Sequence, residues 1–376
     1  MSPRKVVPLL LRLTAGAAFI LGAALVLPRW FADRRPADFR IDGGSLVIIN
    51  AGGRELWRLE TGVADLESDA FFRTRFHQKG FRDDPAGQRR VLPLLLIRDL
   101  DRDAKSEILF APRDKEGRKS GRVILLDSRG RLVWELETGT AVAAGGRDFP
   151  PEFCVQGIAL CDFHKDAKPE ILVISTVREG YPTRILLLDL GRNILGEYWH
   201  AGPVGDCEFV DLDRDELPEI LLAGRNEEFS RPALLVLDVR QMSGASPQSP
   251  AFRFEGKKPG SERYDLLFPP TPLDLLAGTE AVLDRVIPLL GERFQVLVHP
   301  SRALFELNYD LKLLTVTLSR SFELRYEEEV RNGRIQEPYD ADRLRRALAD
   351  GVLWHDGETK SWVNRRAASN PPPAEK

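Results

Sequence analysis

Short apolar runs separated by polar turns fill the chain from Ser45 onward. Runs such as Val91–Ile97, Ile108–Ala111, Val123–Asp127 and Leu132–Leu136 are rich in Val, Ile and Leu and are bounded by Gly, Asp, Ser or charged residues. That pattern predicts short buried strands joined by tight turns. The order then repeats. Val155–Cys161, Ile171–Ile174, Ile185–Asp189 and a strand ending at Trp199 form a second unit. Cys207–Val210, Ile220–Ala223, Ala233–Asp238 and Ala251–Phe254 form a third. Partial copies flank these three. Ser45–Gly62 matches Val123–Gly139, and both carry Leu-Glu-Thr-Gly after a tryptophan. Phe294–Val298, Ala303–Leu307 and Leu313–Leu318 read as the second to fourth strands of a further unit. Thr140–Phe153 reads as linker, and Lys257–Glu292 resists assignment. Ser321–Arg331 and Ala341–Asp350 carry helical periodicity, and Val352–Val363 reads as a hairpin with Asp-Gly at its turn.

Units of four strands and about 40–50 residues are propeller blades. The expected fold is all-β, a β-propeller of four-stranded blades with five favoured and six or seven open. The N-terminal copy holds only the last strands of a blade, so the Val352–Val363 hairpin is expected to pair with it and close the ring, removing exposed sheet edges. The expected organisation is a membrane anchor over 1–35, the propeller over 36–320, C-terminal helices and the closing hairpin over 321–363, and a disordered tail over 364–376. Trp57, Trp134 and Trp199 recur in the repeat and are expected to pack between blades.

The N-terminus changes the picture. Residues 6–28 are apolar apart from Arg12 and Thr14, with Arg4 and Lys5 before them and Arg29, Arg34 and Arg35 after. This length just spans a bilayer if Arg12 reaches the interface. A signal peptide is the alternative, but no small-x-small cleavage site follows the run. An uncleaved transmembrane helix with the bulk of the chain outside the cytoplasm is favoured, although arginines on both flanks leave orientation open. The net charge is −3 over 376 residues, which gives no sign of a nucleic-acid partner. Three cysteines without a CxxC point to buried thiols rather than a disulfide framework or zinc site. The basic, aromatic stretch Arg73–Arg90 reads as a solvated loop, with contact to anionic headgroups or a partner as the alternative.

Candidate chemistry sits in one repeated turn. An acidic ladder precedes the second strand of each full unit: Asp99, Asp101, Asp103 and Glu107; then Asp162, His164, Asp166 and Glu170; then Asp211, Asp213, Asp215 and Glu219. Carboxylates at alternate positions with a fourth acid eight residues on form a Ca²⁺-loop arrangement, since Ca²⁺ takes six to eight oxygen ligands from a flexible loop. As plain turn chemistry, the same acids would accept backbone hydrogen bonds.

Three copies of Asp-x-Asp/His-x-Asp-x-x-x-Glu, each leading into Ile-Leu, resemble the FG-GAP/VCBS β-propeller repeats of integrin α-subunits and bacterial surface proteins. The resemblance covers about Ser45–Phe254 and continues more faintly to Leu318. It implies Ca²⁺ held by those twelve side chains and by the carbonyls of Lys105, Lys168 and Leu217. This chain departs from the pattern at the sixth position, where Ala104, Ala167 and Glu216 replace the usual Gly. It departs also at His164, a nitrogen donor that suits Ca²⁺ poorly. The expected function is a membrane-anchored, extracytoplasmic module that binds a protein or glycan, with structural Ca²⁺ and no chemistry of its own. A weaker resemblance to quinoprotein-type propellers keeps an enzyme, quinoprotein-like or lyase-type, as the alternative. A cytoplasm-facing sensor or scaffold is the third reading. No HExxH, GxSxG, phosphate loop or GxGxxG is present, and the five histidines are scattered.

Overall fold

The computed structural model describes residues 34–74, 92–117, 121–178, 180–278, 280–356 and 361–364. The expected anchor over 6–28, most of the Arg73–Arg90 stretch and the tail beyond Asn364 lie outside them. No helix among the described residues is long and apolar enough to cross a membrane.

The chain is all-β with short helices. Five antiparallel sheets follow one another. The first holds β1 (Asp38–Asp42), β2 (Ser45–Ile49) and β3 (Glu55–Glu60), followed by helix α1 (Asp69–Thr74). The second holds β4 (Leu95–Arg98), β5 (Glu107–Phe110), β6 (Arg122–Leu126) and β7 (Leu132–Glu137). A small hairpin of β8 (Val142–Ala144) and β9 (Arg147–Phe149) then leads to the third sheet. That sheet comprises β10 (Cys154–Cys161), β11 (Glu170–Thr176), β12 (Thr183–Leu188) and β13 (Ile194–His200). The fourth begins β14 (Val204–Val210), β15 (Glu219–Asn226), β16 (Arg231–Leu237) and β17 (Glu262–Leu267). After α2 (Pro272–Leu276) the fifth runs β18 (Val282–Leu289), β19 (Arg293–His299), β20 (Leu304–Asn308) and β21 (Leu313–Thr317). Helices α3 (Arg320–Arg331) and α4 (Ala341–Asp350) precede the last hairpin, β22 (Leu353–Asp356) and β23 (Ser361–Val363).

Each of these five sheets is a meander in which sequential strands pair. The central strands are buried on both faces: all of β11 and β15 is buried, which explains why they read as continuous apolar runs. Buried side chains join neighbouring sheets. One cluster packs Leu46 and Ile48 with Ile108 and Leu109 and with Ile171 and Leu186, linking the first three sheets. A second joins Leu172 and Ile185 to Leu222 and Leu235. A third joins Leu221 and Val236 to Val296 and Phe305 and takes in the helices through Phe322 and Leu348. Among the described residues none of these clusters joins the first sheet to the fifth.

Polar clasps repeat between sheets. Arg122, at the start of β6, pairs with Glu135 at 2.7 Å and donates to the Thr61 carbonyl of the preceding sheet. Arg184, at the start of β12, pairs with Glu197 at 2.7 Å and donates to the Thr138 carbonyl at 2.7 Å. The two Leu-Glu-Thr-Gly copies supply these acceptors. Their threonine hydroxyls donate to Gly44 at 2.6 Å and Gly121 at 2.8 Å, fixing the carbonyls that the arginines reach.

Three sequence expectations are corrected. The C-terminal hairpin does not pair with the first sheet; β22 pairs with β17 through Leu266–Trp354 and Leu267–Leu353, extending the fourth sheet to six strands. Burial of Trp354 and Val352 with Leu266 and Phe268 holds it there, because α4 already delivers the chain to that core. Ala251–Phe254 is not the fourth strand of its unit. Phe254 instead packs on Trp199 and Tyr181, and β17, in the segment left unassigned, completes the sheet. Trp199 is not the equivalent of Trp57 and Trp134. Those two pair with Ile48 and Leu125 beside a bulge, and the matching position is Gly196, opposite Leu187. Trp57 donates to the Ser128 carbonyl at 3.1 Å and Trp134 to the Leu190 carbonyl at 2.9 Å, each seating on the turn of the next sheet. At Gly196 the neighbouring chain comes too close for a side chain, since a Cβ would lie 2.9 Å from Met242.

Candidate functional site

The three ladders occupy equivalent turns: β4 to β5, β10 to β11, and β14 to β15. All three fold alike. The ninth-position glutamate turns back to accept the backbone N–H of position two: Glu107 from Leu100, Glu170 from Phe163 and Glu219 from Leu212, each at 2.8 Å. The first aspartate accepts from position six, at 3.0 Å in Asp99, 2.9 Å in Asp162 and 3.0 Å in Asp211. The fifth-position aspartate accepts from position seven at 2.8 Å in Asp103 and 2.9 Å in Asp166 and Asp215. Position six is left-handed in every copy, with φ of 65° at Ala104, 75° at Ala167 and 71° at Glu216. The turn therefore keeps the geometry that glycine would favour and accepts the strain of a side chain there, about 1–2 kcal/mol per residue.

The carboxylates that remain differ between copies. In the first turn, one oxygen each from Asp99, Asp101 and Glu107 converge within 4.8 Å. Asp103 is taken up by Lys105 Nζ. Burial, and then the charges of Asp101 and Asp103, push the Glu107 carboxyl up. Among the described residues no side-chain cation bonds to the trio, whose donors are backbone N–H groups, while Lys105 and Arg129 line the same cleft. In the third turn Asp211, Asp213 and Glu219 also converge within 4.8 Å, but Arg263 from β17 lies between them. Its Nη1 donates to Asp213 at 2.7 Å and Glu219 at 2.6 Å, and this holds the Asp213 carboxyl below its usual range. Arg240 meanwhile takes Asp215 at 2.6 Å. In the second turn the His164 ring pairs directly with Glu170, which raises the imidazole pKa. The first turn therefore offers three converging oxygens that could hold a cation, the third holds an arginine where a cation would sit, and the second has a nitrogen base against its best acid.

The ladders share their end of the molecule with the turns joining third and fourth strands, where Asp127, Asp189 and Asp238 accept backbone N–H groups. A cleft of about 360 Å³ lies between the first ladder and Asp127, Arg129 and Arg131. Cross-links tie the rim: Lys165 to Glu216 at 3.0 Å, and Arg214 to Glu292 through paired contacts.

A second concavity was not legible in the sequence. A groove of about 770 Å³ opens where the last hairpin splays away from β17. Glu262 and Asp265, three apart, would normally face opposite sides of a strand. A bulge between the partners of Val236 and Leu237 places both opposite one face, Glu262 against Leu237 and Asp265 against Leu235. Tyr198 donates its hydroxyl to Glu262 at 2.9 Å. Burial drives the Asp265 carboxyl far above its usual range and also raises Glu262.

The three cysteines form no disulfide, and burial pushes the Cys161 thiol up to about 12. His200 is fully buried with Nε2 2.9 Å from the Arg225 carbonyl, and burial lowers it to about 4.

No family model and no curated protein matches the chain. Solved structures similar to it include BamB from Moraxella catarrhalis (11% identity, 76% of this chain, 62% of that chain, TM-score 0.35). Others are the exotype rhamnogalacturonan lyase YesX (14%, 72%, 48%, 0.34) and the Cps50 (Swd1) β-propeller domain of Myceliophteria thermophila (14%, 75%, 83%, 0.27). The chain spans less than two thirds of the length of the first two. At these scores the likeness carries no weight on function, and the architecture rests on the chain's own sheets.

Proposed function

We propose that this chain is an extracytoplasmic, membrane-anchored β-propeller of five blades that binds a protein or glycan partner, with residues 6–28 as its anchor. The observation that carries the reading is the repeat of antiparallel meanders joined in succession by shared apolar clusters. Such a stack is rigid in its strands and leaves its turns as the variable surface, the division of labour of a binding scaffold. In this reading Asp99, Asp101 and Glu107 hold one structural Ca²⁺, which offsets the mutual repulsion of the trio and stiffens the rim. The first turn suits that ion because its three oxygens converge and, among the described residues, no side-chain cation bonds to them as Arg263 does in the third turn. The third turn, as an Arg263-filled variant, needs none. The metal would orient the loop; it takes no part in a reaction.

A topology reporter fused after Lys376 tests the placement. Activity outside the cytoplasm is expected for the full-length chain and is lost when residues 6–28 are deleted. Activity only inside the cytoplasm would replace this reading with the sensor or scaffold facing inward.

A further inference from the structure

The groove beside β17 holds a group that folding alone does not explain. Asp265 is 1% exposed, and among the described residues neither carboxylate oxygen has a hydrogen-bond partner. Burying a polar group without a partner costs several kcal/mol in an apolar surround, and a leucine of similar reach would pack there without that penalty. Its neighbour Glu262 is a second acid, so the two also disfavour one another's charge. Gly260 is required beside them, because a Cβ there would lie 2.6 Å from the Ala245 carbonyl oxygen. Strain of this kind, kept in the wall of a concavity, is the signature of a functional site.

The chemistry of the groove is layered. Asp265 and Glu262 form one wall, and burial shifts both carboxyls toward the protonated form, which offers both a donor and an acceptor. Trp362 stands on the hairpin side, braced by Phe229 and His355 with ring centroids 5.1 Å and 5.3 Å away. At the rim Arg253 and Lys258 are exposed and make no ion pair among the described residues.

The geometry points to this groove as a binding site for an anionic oligosaccharide, its hydroxyls meeting Asp265 and Glu262, a sugar face lying against Trp362, and its acidic groups meeting Arg253 and Lys258. This deepens the binding-module reading and rests on it. A hydroxyl is the ligand group that matches a neutral acid as donor and acceptor at once. An amphipathic ring matches an aromatic wall, and carboxylate or sulfate matches rim cations. An acidic peptide would satisfy the rim but leaves the paired acids without a hydroxyl partner.

The test uses the full-length protein in detergent with chelator present. Calorimetry is run with a hexauronate, a sulfated hexasaccharide, a neutral hexaglucan and a hexaglutamate peptide. At least one of the two anionic saccharides is expected to bind at least tenfold more tightly than the neutral one and the peptide. Lys258→Glu and Asp265→Leu are each expected to weaken binding at least tenfold. Asp265→Leu should raise Tm by about 2 °C or more while losing the ligand, since it removes a buried unpaired carboxyl. Equal affinity for neutral glycan or peptide, no binding of either anionic saccharide, or a lowered Tm in Asp265→Leu would overturn the inference. A macromolecular partner that binds the parent and both variants alike would overturn it while leaving the binding-module reading in place.

Discussion

Replacing Arg263 with Gln removes the charge between Asp213 and Glu219 while keeping most of the stem. The Glu219 side chain is 2% exposed and that of Arg263 is 33% exposed. Breaking a buried ion pair by removing one partner costs about 3–5 kcal/mol. The exposed third of the guanidinium lets water take over part of that role, so a loss of about 2 kcal/mol is expected. The variant also vacates a trio of converging oxygens. Ca²⁺ at a hundredfold excess over its Kd returns about 2.7 kcal/mol, enough to restore parental stability. The assay is urea unfolding in chelator and in saturating Ca²⁺, with Asp99→Asn in both backgrounds to silence the first turn. Destabilisation in chelator that Ca²⁺ reverses is the expected result. A variant as stable as its parent in chelator would refute the role given to Arg263. A loss that Ca²⁺ leaves unchanged would refute the equivalence of guanidinium and metal.

Further tests address other parts of the structure. His200 stays neutral in the folded chain down to about 4, whereas the unfolded chain takes up its proton near 6.5. Its effect is absent above pH 6.5 and destabilises progressively as pH falls to about 4, by about 3 kcal/mol. Stability curves of the parent and His200→Gln should diverge over that window, and parallel curves would refute it. Gly130→Ala adds a Cβ 2.6 Å from Trp57 at φ 79° and is expected to lose about 2 kcal/mol in urea unfolding, from strain plus overpacking. The double variant Gly130→Ala, Trp57→Leu should recover part of that loss; no recovery would place the strain in the backbone alone. Ala167→Gly relieves a left-handed alanine at φ 75° and should gain up to about 1 kcal/mol; a loss would show that the methyl packs usefully.

Legibility followed the range of the interactions. The strands of the first and second units are local apolar runs ended by Asp and Gly turns, and the structure places them where the pattern did. The ladders were legible because all their defining hydrogen bonds fall within nine residues of chain. What fills them was not. Arg263 reaches Asp213 and Glu219 from 50 and 44 residues away, and no spacing announces that contact. Ala251–Phe254 alternates like a strand, yet Phe254 is drawn into an aromatic cluster with Tyr181 and Trp199. The destination of the last hairpin depends on α4 packing against the fourth and fifth sheets, a tertiary choice that its own Asp-Gly turn does not encode. The Glu262–Asp265 pair depends on a single bulge that shifts the period of β17 by one residue, and a period-two reading separates the two acids.

The ladders carry the repeat, and their occupancy decides how much of it is chemistry. Calorimetric titration of Ca²⁺ into the chelator-stripped full-length protein measures that directly. One site per chain, abolished by Asp101→Asn and unaffected by Asp213→Asn, is the predicted result. No binding, or a stoichiometry of two or three, would contradict the assignment of the first turn as the single cation site.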